Sequence, residues 1–324
     1  MLSTYIQDHN DPVIIDEIQK IPHLLDEVHR LIEDKKLQFI LTGSSARKLR
    51  RLGVNMLGGR AYTYFMYPLT AAELGEDFTL KHALKFGTLP LAITSESPHR
   101  FLQSYVKTYL KEEIQLEGFT RNLAAFSRFL QAASFSQAAP LNISAVAADC
   151  SVERKVVEDY FQILRDLLLS IEIPLFKKRA KRELIAKSKF FFFDAGVFRA
   201  LRPTGPLDAE SELNGPALET LILHHLKAMN DYLDWNYEIS YWHTRNHEEV
   251  DLVLYGPRGF FAIEVKNAAR IRPQDFSGLE LFHEDYPQAK RFLIYGGTEN
   301  KIRSGIQIIP AEQFLHEIKD LLTH

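Results

Sequence analysis

The stretch Val-Ile-Ile-Asp-Glu-Ile-Gln-Lys at residues 13–20 decides the fold of the N-terminal part of the chain. Its apolar run is typical of a parallel strand buried on both faces, and open α/β sheets bind ligands at the carboxyl ends of such strands. There Asp16 would hold a magnesium ion, and Glu17 would orient the water that attacks a terminal phosphate. The alternative is a buried strand followed by an acidic cap. The stretch therefore predicts either a nucleotide-hydrolysis element or a capped strand.

A second apolar run, Leu-Gln-Phe-Ile-Leu at residues 37–41, predicts another buried strand. Apolar residues recur every three or four positions from Leu24 to Ile32, which predicts an amphipathic helix between the two strands. Thr42 and Ser44 follow the second strand. In a nucleotide site such hydroxyls sense the terminal phosphate or its attacking water, whereas in a simple turn Ser44 would cap the next helix. A third strand is predicted at residues 62–67.

Two further motifs complete a family resemblance. Leu-Gly-Gly-Arg at residues 57–60 and Pro-Leu-Thr-Ala-Ala-Glu at residues 68–73 follow the two strand ends. Together these motifs resemble a prokaryotic AAA-type ATPase family whose members carry a C-terminal domain of unknown function with a restriction-endonuclease-like fold. The resemblance implies ATP and magnesium as cofactors, Walker B roles for Asp16 and Glu17, and a sensor role for Thr42 or Ser44. It also implies an arginine finger at Arg60, for which a surface salt bridge is the alternative.

The phosphate-binding loop of such ATPases does not occur in the sequence. That loop has the pattern G-x-x-x-x-G-K-[ST], and its backbone amides and lysine cradle the phosphates. The nearest approach runs from Gly53 to Gly58, but Gly59 and Arg60 stand where the lysine and the hydroxyl residue are needed. We therefore expect a truncated ATPase core, lacking the Walker A region, that alone binds ATP poorly and does not hydrolyse it.

Composition limits the remaining function classes. The 324 residues are 46% hydrophobic and 25% charged, as in soluble globular proteins with two or three cores. The formal charge of -3 gives no overall attraction to nucleic acid, so any such binding must come from a local patch. Cys150 is the single cysteine, which excludes an intrachain disulfide and suits a reducing compartment. No apolar run is long enough to span a membrane, and a cytoplasmic location without membrane contact is expected.

The middle of the chain predicts two helical modules. Apolar residues three or four apart predict helices from Ala71 to about Phe135, which in the family form the lid. Two helices between residues 143 and 167, followed by strands near residues 169–173 and 190–193, make a winged-helix-like pattern. The basic run at residues 177–182 between those strands would neutralise DNA phosphates. The alternative is a solvated charged loop.

The C-terminal part contains a second group of candidate catalytic residues. Two strands joined by a Gly-Pro-Arg-Gly turn at residues 256–259 predict a hairpin that carries Asp251 on one strand and Glu264 and Lys266 on the other. An acid followed by Glu-x-Lys resembles the nuclease motif PD-(D/E)xK, although Val250 stands where its proline would be. The resemblance places Glu219, on the preceding helix, as an additional acid. Asp251 and Glu264 would bind magnesium and Lys266 would activate water. The alternative is a surface carboxylate pair with a compensating lysine.

These observations predict an α/β protein with four regions. They are a truncated parallel P-loop-type sheet at residues 1–70, a helical lid at 71–138, a winged-helix-like module at 139–200 and a PD-(D/E)xK nuclease-like α/β domain at 201–324. The leading expectation is an AAA-family ATPase homologue, impaired in ATP use, linked to a nuclease-like and DNA-binding domain. The alternatives are a non-catalytic module that docks DNA or protein, including a second copy of the chain, and a metal-dependent nuclease.

Overall fold

The computed structural model describes residues 11–43, 61–109, 114, 122–178, 187–206 and 208–323. The chain divides into two compact units. The first comprises residues 1–63 and 161–170, and the second comprises residues 64–160 and 171–324. Ser44 and Arg60, the alternative sensor and the candidate arginine finger, lie outside the described residues.

The first unit contains a pair of parallel strands joined by a helix. Strand β1 (Val13–Ile15) pairs with β2 (Phe39–Leu41) in parallel, so that both strands end at the same edge. The connecting helix Leu24–Lys35 presents an apolar face, and its residues Leu25, Val28 and Leu31 are buried. A short 3₁₀ turn at Ile18–Lys20 follows β1. The two strands and the helix predicted from the apolar pattern are therefore present.

Two expectations about the first 70 residues are wrong. The strands are not buried on both faces, because Ile14 and Ile40 lie opposite each other and are 67% and 49% exposed. Residues 62–67 form no strand, and Tyr62, Tyr64 and Met66 are exposed. A strand needs a neighbour that accepts its backbone hydrogen bonds. Among the described residues no neighbouring strand pairs with residues 62–67.

Helices account for most of the described part of residues 71–135, as predicted. The first begins at Thr70, whose hydroxyl accepts a hydrogen bond from the Glu73 amide while the Glu73 carboxylate accepts one from the Thr70 amide. Pro90 and Pro98 each stand in the first turn of a helix, where the missing N–H costs nothing. The described helices are Ala71–Leu74, Leu80–Phe86, Pro90–Thr94, Pro98–Ser104 and Leu123–Ser134, with a π-helical turn at Tyr105–Tyr109.

The next segment has the predicted order of two helices and two strands. Its helices are Ile143–Cys150 and Arg154–Asp166, and a further helix, Ala195–Leu201, follows the strands. Strands β3 (Ala139–Pro140), β4 (Ser170–Ile173) and β5 (Lys189–Phe192) form a sheet in the order β3-β5-β4. The central strand β5 is buried along its whole length.

The C-terminal part is built on a six-stranded mixed sheet. Its strands are β6 (Glu238–His243), β7 (Glu249–Gly256), β8 (Gly259–Lys266), β9 (Lys290–Tyr295), β10 (Lys301–Arg303) and β11 (Ile306–Pro310), in the order β10-β11-β9-β8-β7-β6. Strands β6, β7 and β8 are antiparallel, whereas β8, β9 and β11 run parallel. Helices Glu210–Tyr232, Ser277–Asp285 and Ala311–Leu321 accompany the sheet. Apolar side chains from these helices and the sheet form two buried clusters.

The long helix and the hairpin bear directly on the predictions. Pro216, followed by apolar residues three or four apart, predicts a helix from Ala217 to Met229 with the proline in its first turn. The helix instead runs from Glu210 to Tyr232, so Pro216 lies inside it. Strands β7 and β8 form the expected hairpin, with Gly256 opposite Gly259 and Leu252 opposite Ile263.

Within the described ranges, no helix combines the length and the apolar character needed to cross a membrane.

Candidate functional site

The first candidate site lies at the carboxyl ends of β1 and β2. Asp16 and Glu17 follow β1, and Thr42 follows β2. The Thr42 hydroxyl donates a hydrogen bond to Asp16 Oδ1 and accepts one, at 3.2 Å, from the Glu17 amide. The Thr42 amide in turn donates to the Ile15 carbonyl at 3.0 Å. The structure thus brings the adjacent residues Asp16 and Glu17 together with Thr42, which lies 26 positions after Asp16 in the sequence.

Glu17 has an unusual backbone. Its φ of 54° lies in the left-handed region, which residues with a Cβ adopt only at a cost of about 1–2 kcal/mol. The Gln19 side-chain amide donates a hydrogen bond to the Glu17 carboxylate, and Gln19 itself is buried. Strained backbone of this kind clusters at functional sites. Gln19 was not among the predicted site residues, although it stands two residues after Glu17 in the same motif.

The groups at this edge fit a hard divalent cation. Magnesium prefers oxygen ligands and keeps several waters, so a site needs only one or two protein oxygens and access to solvent. Asp16 is exposed, and the Thr42 hydroxyl oxygen lies beside its carboxylate. Asp16 could therefore hold the ion directly, and Thr42 orients the carboxylate.

The second candidate site is a buried ionic cluster in the second unit. Lys189, at the start of β5, is 1% exposed. Its ammonium nitrogen lies 2.8 Å from Glu219 Oε2, on the long helix, and 2.9 Å from Asp251 Oδ1, on β7. A buried carboxylate without a partner is strongly disfavoured, so this lysine makes the two acids compatible with the interior.

Strand β8 adds two more charged groups to the cluster. The Val265 amide donates a hydrogen bond to Asp251 Oδ2 at 2.9 Å. The Lys266 ammonium pairs with Glu264 Oε1, while Glu264 Oε2 is buried and has no hydrogen-bond partner among the described residues. The structure therefore places Glu219 and Asp251 against Lys189, and pairs Glu264 with Lys266 on the neighbouring strand β8.

The acids in this cluster titrate differently. Burial and the neighbouring Asp251 raise the pKa of Glu219 to about 8, despite the opposing effect of Lys189. Burial and Asp251 likewise raise the pKa of Glu264 well above its ordinary value. Burial would also raise the pKa of Asp251, but Lys189 and Lys266 outweigh it and hold that pKa below its usual range. Asp251 is therefore the acid that stays ionised and forms the centre of the cluster.

The cluster as it stands does not fit a divalent cation. Asp251 uses both carboxylate oxygens, one for Lys189 and the other for the Val265 amide. Glu219 is likewise engaged by Lys189. Across the described part of the chain, no three carboxylate, imidazole or thiol groups converge in a way that could hold a metal ion. The positive charge at the centre of these acids is an ammonium group of the protein itself.

Sequence reasoning missed Lys189. It opens the run Lys-Phe-Phe-Phe-Phe at residues 189–193, and a charged residue at the start of a fully apolar strand was the available signal. The neighbouring basic run is only partly described. Of its residues Lys177 and Lys178 are described, and Lys178 pairs with Glu238 at 2.9 Å and lies over the Tyr255 ring.

Three sequence families match successive parts of the chain. An AAA domain family matches residues 1–75, a domain of unknown function, DUF8612, matches residues 78–208, and another, DUF4143, matches residues 214–314. The AAA and DUF4143 matches, at opposite ends of the chain, support an AAA-type ATPase-like family. A comparison with curated proteins found no match.

Solved structures include a weak likeness to this chain. The crystal structure of protein VC1899 from Vibrio cholerae is 13% identical, and the alignment covers 99% of this chain and 93% of that one. Its TM-score of 0.28 is too low to establish a shared fold.

Proposed function

We propose that this chain is an AAA-type ATPase-like protein in which Asp16, Glu17 and Thr42 form the magnesium- and water-handling half of an ATP site. The observation that carries the proposal is the Thr42 hydroxyl, which joins Asp16 and the Glu17 amide across the ends of two parallel strands. Such an edge is where open α/β sheets bind nucleotides. The AAA family match over residues 1–75 points the same way.

Each residue has a distinct role in this proposal. Magnesium, when bound with ATP, supplies charge that stabilises the phosphate oxygens. Asp16 holds the ion or one of its waters, and Thr42 keeps the Asp16 carboxylate oriented. Glu17 accepts a hydrogen bond from the attacking water and aligns it. Its carboxylate is steadied by Gln19. Ser44 as a second sensor and Arg60 as an arginine finger stay predictions, as does the weak ATP affinity expected without a phosphate loop.

Titration with magnesium ATP tests the nucleotide site. The full chain is expected to bind in the millimolar range, because its sequence contains no G-x-x-x-x-G-K-[ST] loop. Replacing magnesium with manganese lets paramagnetic broadening of the backbone amide signals of residues beside Asp16 report the contact. Asp16→Asn should abolish the broadening, whereas Asp34→Asn, at an exposed residue of the same unit, should leave it unchanged. Equal broadening with Asp16→Asn would refute the site, and micromolar affinity would refute the expected weak binding.

A docking role is the second candidate, for the nuclease-like region. The observation that favours docking over cleavage is Lys189, whose ammonium pairs with Glu219 and Asp251, two of the acids a cleavage site would offer to a metal. Single- and double-stranded DNA is incubated with magnesium or manganese and with the wild type, Asp251→Ala or Lys266→Ala. Salt-sensitive binding without cleavage supports docking. Cleavage that both variants lose supports a nuclease instead.

A further inference from the structure

We infer that residues 61–66 pair with the same segment of a second copy of the chain as antiparallel β-strands, so that two chains form a symmetric dimer centred on Tyr64. The inference rests neither on the proposed nucleotide site nor on the nuclease-like region. It assigns a partner to six consecutive residues that the fold leaves exposed.

The side chains of this segment form an apolar surface. Its sequence, Ala-Tyr-Thr-Tyr-Phe-Met, is largely aromatic and apolar, yet all six residues are exposed. Tyr62, Tyr64 and Met66 are 88%, 83% and 95% exposed. Single exposed apolar side chains are ordinary on a protein surface, whereas a contiguous apolar patch marks an interaction site. Residues 61–66 are therefore a candidate docking segment.

The backbone of the segment is also open to pairing. Residues 61–66 belong to no helix or strand, and no backbone hydrogen bond joins them to another described residue. Tyrosine, threonine and phenylalanine favour strands, and the segment contains no proline that would remove an N–H group. A neighbouring strand can therefore engage the amides and carbonyls that the rest of the described chain leaves to solvent.

The C-terminal end of the segment is held in place. The amide of the next residue, Tyr67, donates a hydrogen bond to the Tyr232 hydroxyl at 3.1 Å, and the Tyr67 hydroxyl donates to Asp231. The rings of Tyr67 and Tyr232 also meet edge to face, with their centroids 5.9 Å apart. A segment that is anchored at one end has less freedom to lose on binding, so the entropic cost of pairing is reduced.

A second copy fits the segment because the sequence is complementary to itself. Two antiparallel copies centred on Tyr64 place the two Tyr64 side chains opposite each other, and each Tyr62 opposite Met66 of the partner subunit. Aromatic pairs across strands are favourable, and so are contacts between a thioether sulfur and an aromatic ring. No like charges meet, since none of the six side chains is charged.

The area of the segment suits a weak dimer. A buried aromatic side chain contributes about 150–250 Å². The exposed side chains of the two copies together therefore offer about 1,000 Å², which is the lower limit for a specific interface. An interface of this size predicts a dimer that dissociates in the micromolar range.

Charge substitutions at the centre of the pair test the dimer. The wild type should change from monomer to dimer across the micromolar range in sedimentation equilibrium. Tyr64→Lys and Tyr64→Glu each place like charges opposite each other, so each variant alone should dimerise about tenfold more weakly. A mixture of the two pairs opposite charges and should recover the dimer. Ile302→Lys, at an apolar residue that is 78% exposed, should dimerise like the wild type.

Cysteine substitutions test the register. Cys150, the single cysteine of the chain, is buried and does not compete with an introduced thiol. Tyr64→Cys should form a disulfide between two chains, because the Cα atoms of opposite residues in an antiparallel pair lie about 4.5–5.5 Å apart. Tyr62→Cys alone should not, since the two substituted positions lie about 13 Å apart along the strands. A mixture of Tyr62→Cys and Met66→Cys chains should cross-link.

Several results would overturn the inference. One is a wild type that stays monomeric throughout the micromolar range, and another is a mixture of Tyr64→Lys and Tyr64→Glu that dimerises no better than either variant alone. Cross-linking of Tyr62→Cys alone as fast as Tyr64→Cys would exclude the register. A dimer that Ile302→Lys weakens as much as Tyr64→Lys does would place the contact elsewhere. Circular dichroism of each variant should match the wild type, because residues 62, 64, 66 and 302 are exposed.

Discussion

At the scale of single residues, the burial and hydrogen bonds of two adjacent histidines, His224 and His225, require that their rings are uncharged. His225 Nε2 accepts a hydrogen bond from the Ala71 amide at 2.8 Å, so this nitrogen carries no proton. His224 Nε2 donates to the Pro68 carbonyl at 2.7 Å. Burial lowers the pKa of His224 to about 4, and burial together with His224 lowers the pKa of His225 well below its usual value. Both folded-state values lie below 6.5, the value of an ordinary histidine.

These histidines predict acid sensitivity. As the pH falls below 6.5, the unfolded chain takes up protons that the folded chain does not. The stability that the two uncharged histidines contribute is therefore fully present above pH 6.5 and is lost as the pH falls towards 4. His224 alone should account for about 3 kcal/mol of that loss. His224→Gln keeps a donor for Pro68 but cannot titrate, so its free energy of unfolding should fall less steeply in denaturant melts across this range. His99→Gln, at an exposed histidine, should follow the wild type, and an equal slope for His224→Gln would contradict the prediction.

At the scale of elements, the helix Ser277–Asp285 packs directly on strand β7. Gly278 permits this contact, because a Cβ at that position would lie 1.9 Å from the Glu249 carbonyl oxygen. Gly215, in the long helix, has open space around the same position. A side chain at Gly278 would therefore clash with the neighbouring strand, whereas a side chain at Gly215 would have space.

Alanine substitutions distinguish these two glycines. Gly278→Ala should lower the free energy of unfolding by about 1–3 kcal/mol, because helix and strand must move apart. Gly215→Ala should raise it by about 0.5–1 kcal/mol, since alanine is the better helix former. Both values come from urea denaturation followed by circular dichroism. Equal effects of the two substitutions would show that the close contact has no energetic weight.

The helices and strands could be predicted where a short stretch of sequence carries the whole signal. Strands β1 and β2 and the β7–β8 hairpin follow from apolar runs and turn residues, and the hairpin brings Asp251 beside Glu264 and Lys266. The start of the long helix was misplaced, because Pro216 read alone signals a first turn and the six helical residues before it carry no strong signal. Lys189 could not be placed, since its contacts with Glu219 and Asp251 span 30 and 62 positions and depend on tertiary packing.

At the scale of the whole molecule, buried polar contacts join regions that match different families. Lys189 lies in the region matched by DUF8612, and its two acid partners lie in the region matched by DUF4143. Ala71, within the AAA match, donates its amide to His225 of the long helix. Residues 64–75 accordingly belong to the second unit although the AAA match includes them. The family boundaries and the structural boundaries therefore differ.

Loss of Lys189 should weaken the second unit as a whole. Lys189→Ala is expected to lower its free energy of unfolding by about 3–5 kcal/mol, the usual effect of removing one partner of a buried ion pair. Both tryptophans of the chain, Trp235 and Trp242, lie in this unit and are buried, so tryptophan fluorescence reports its unfolding. Lys187→Ala is the matched control. A shift below about 1 kcal/mol, typical of a surface pair, would contradict a buried role.

The burial of Lys189 also has a consequence for covalent chemistry. Acylating reagents attack the uncharged amine, and Asp251 and Glu219 keep this one protonated by raising its pKa well above the usual value for lysine, even though burial alone would lower it. The native protein should therefore shield Lys189 from acylation while the exposed Lys187 reacts. Mass spectrometry of labelled peptides would then detect each opening of the ionic cluster as acylation of Lys189. This measurement uses the chain without any substitution.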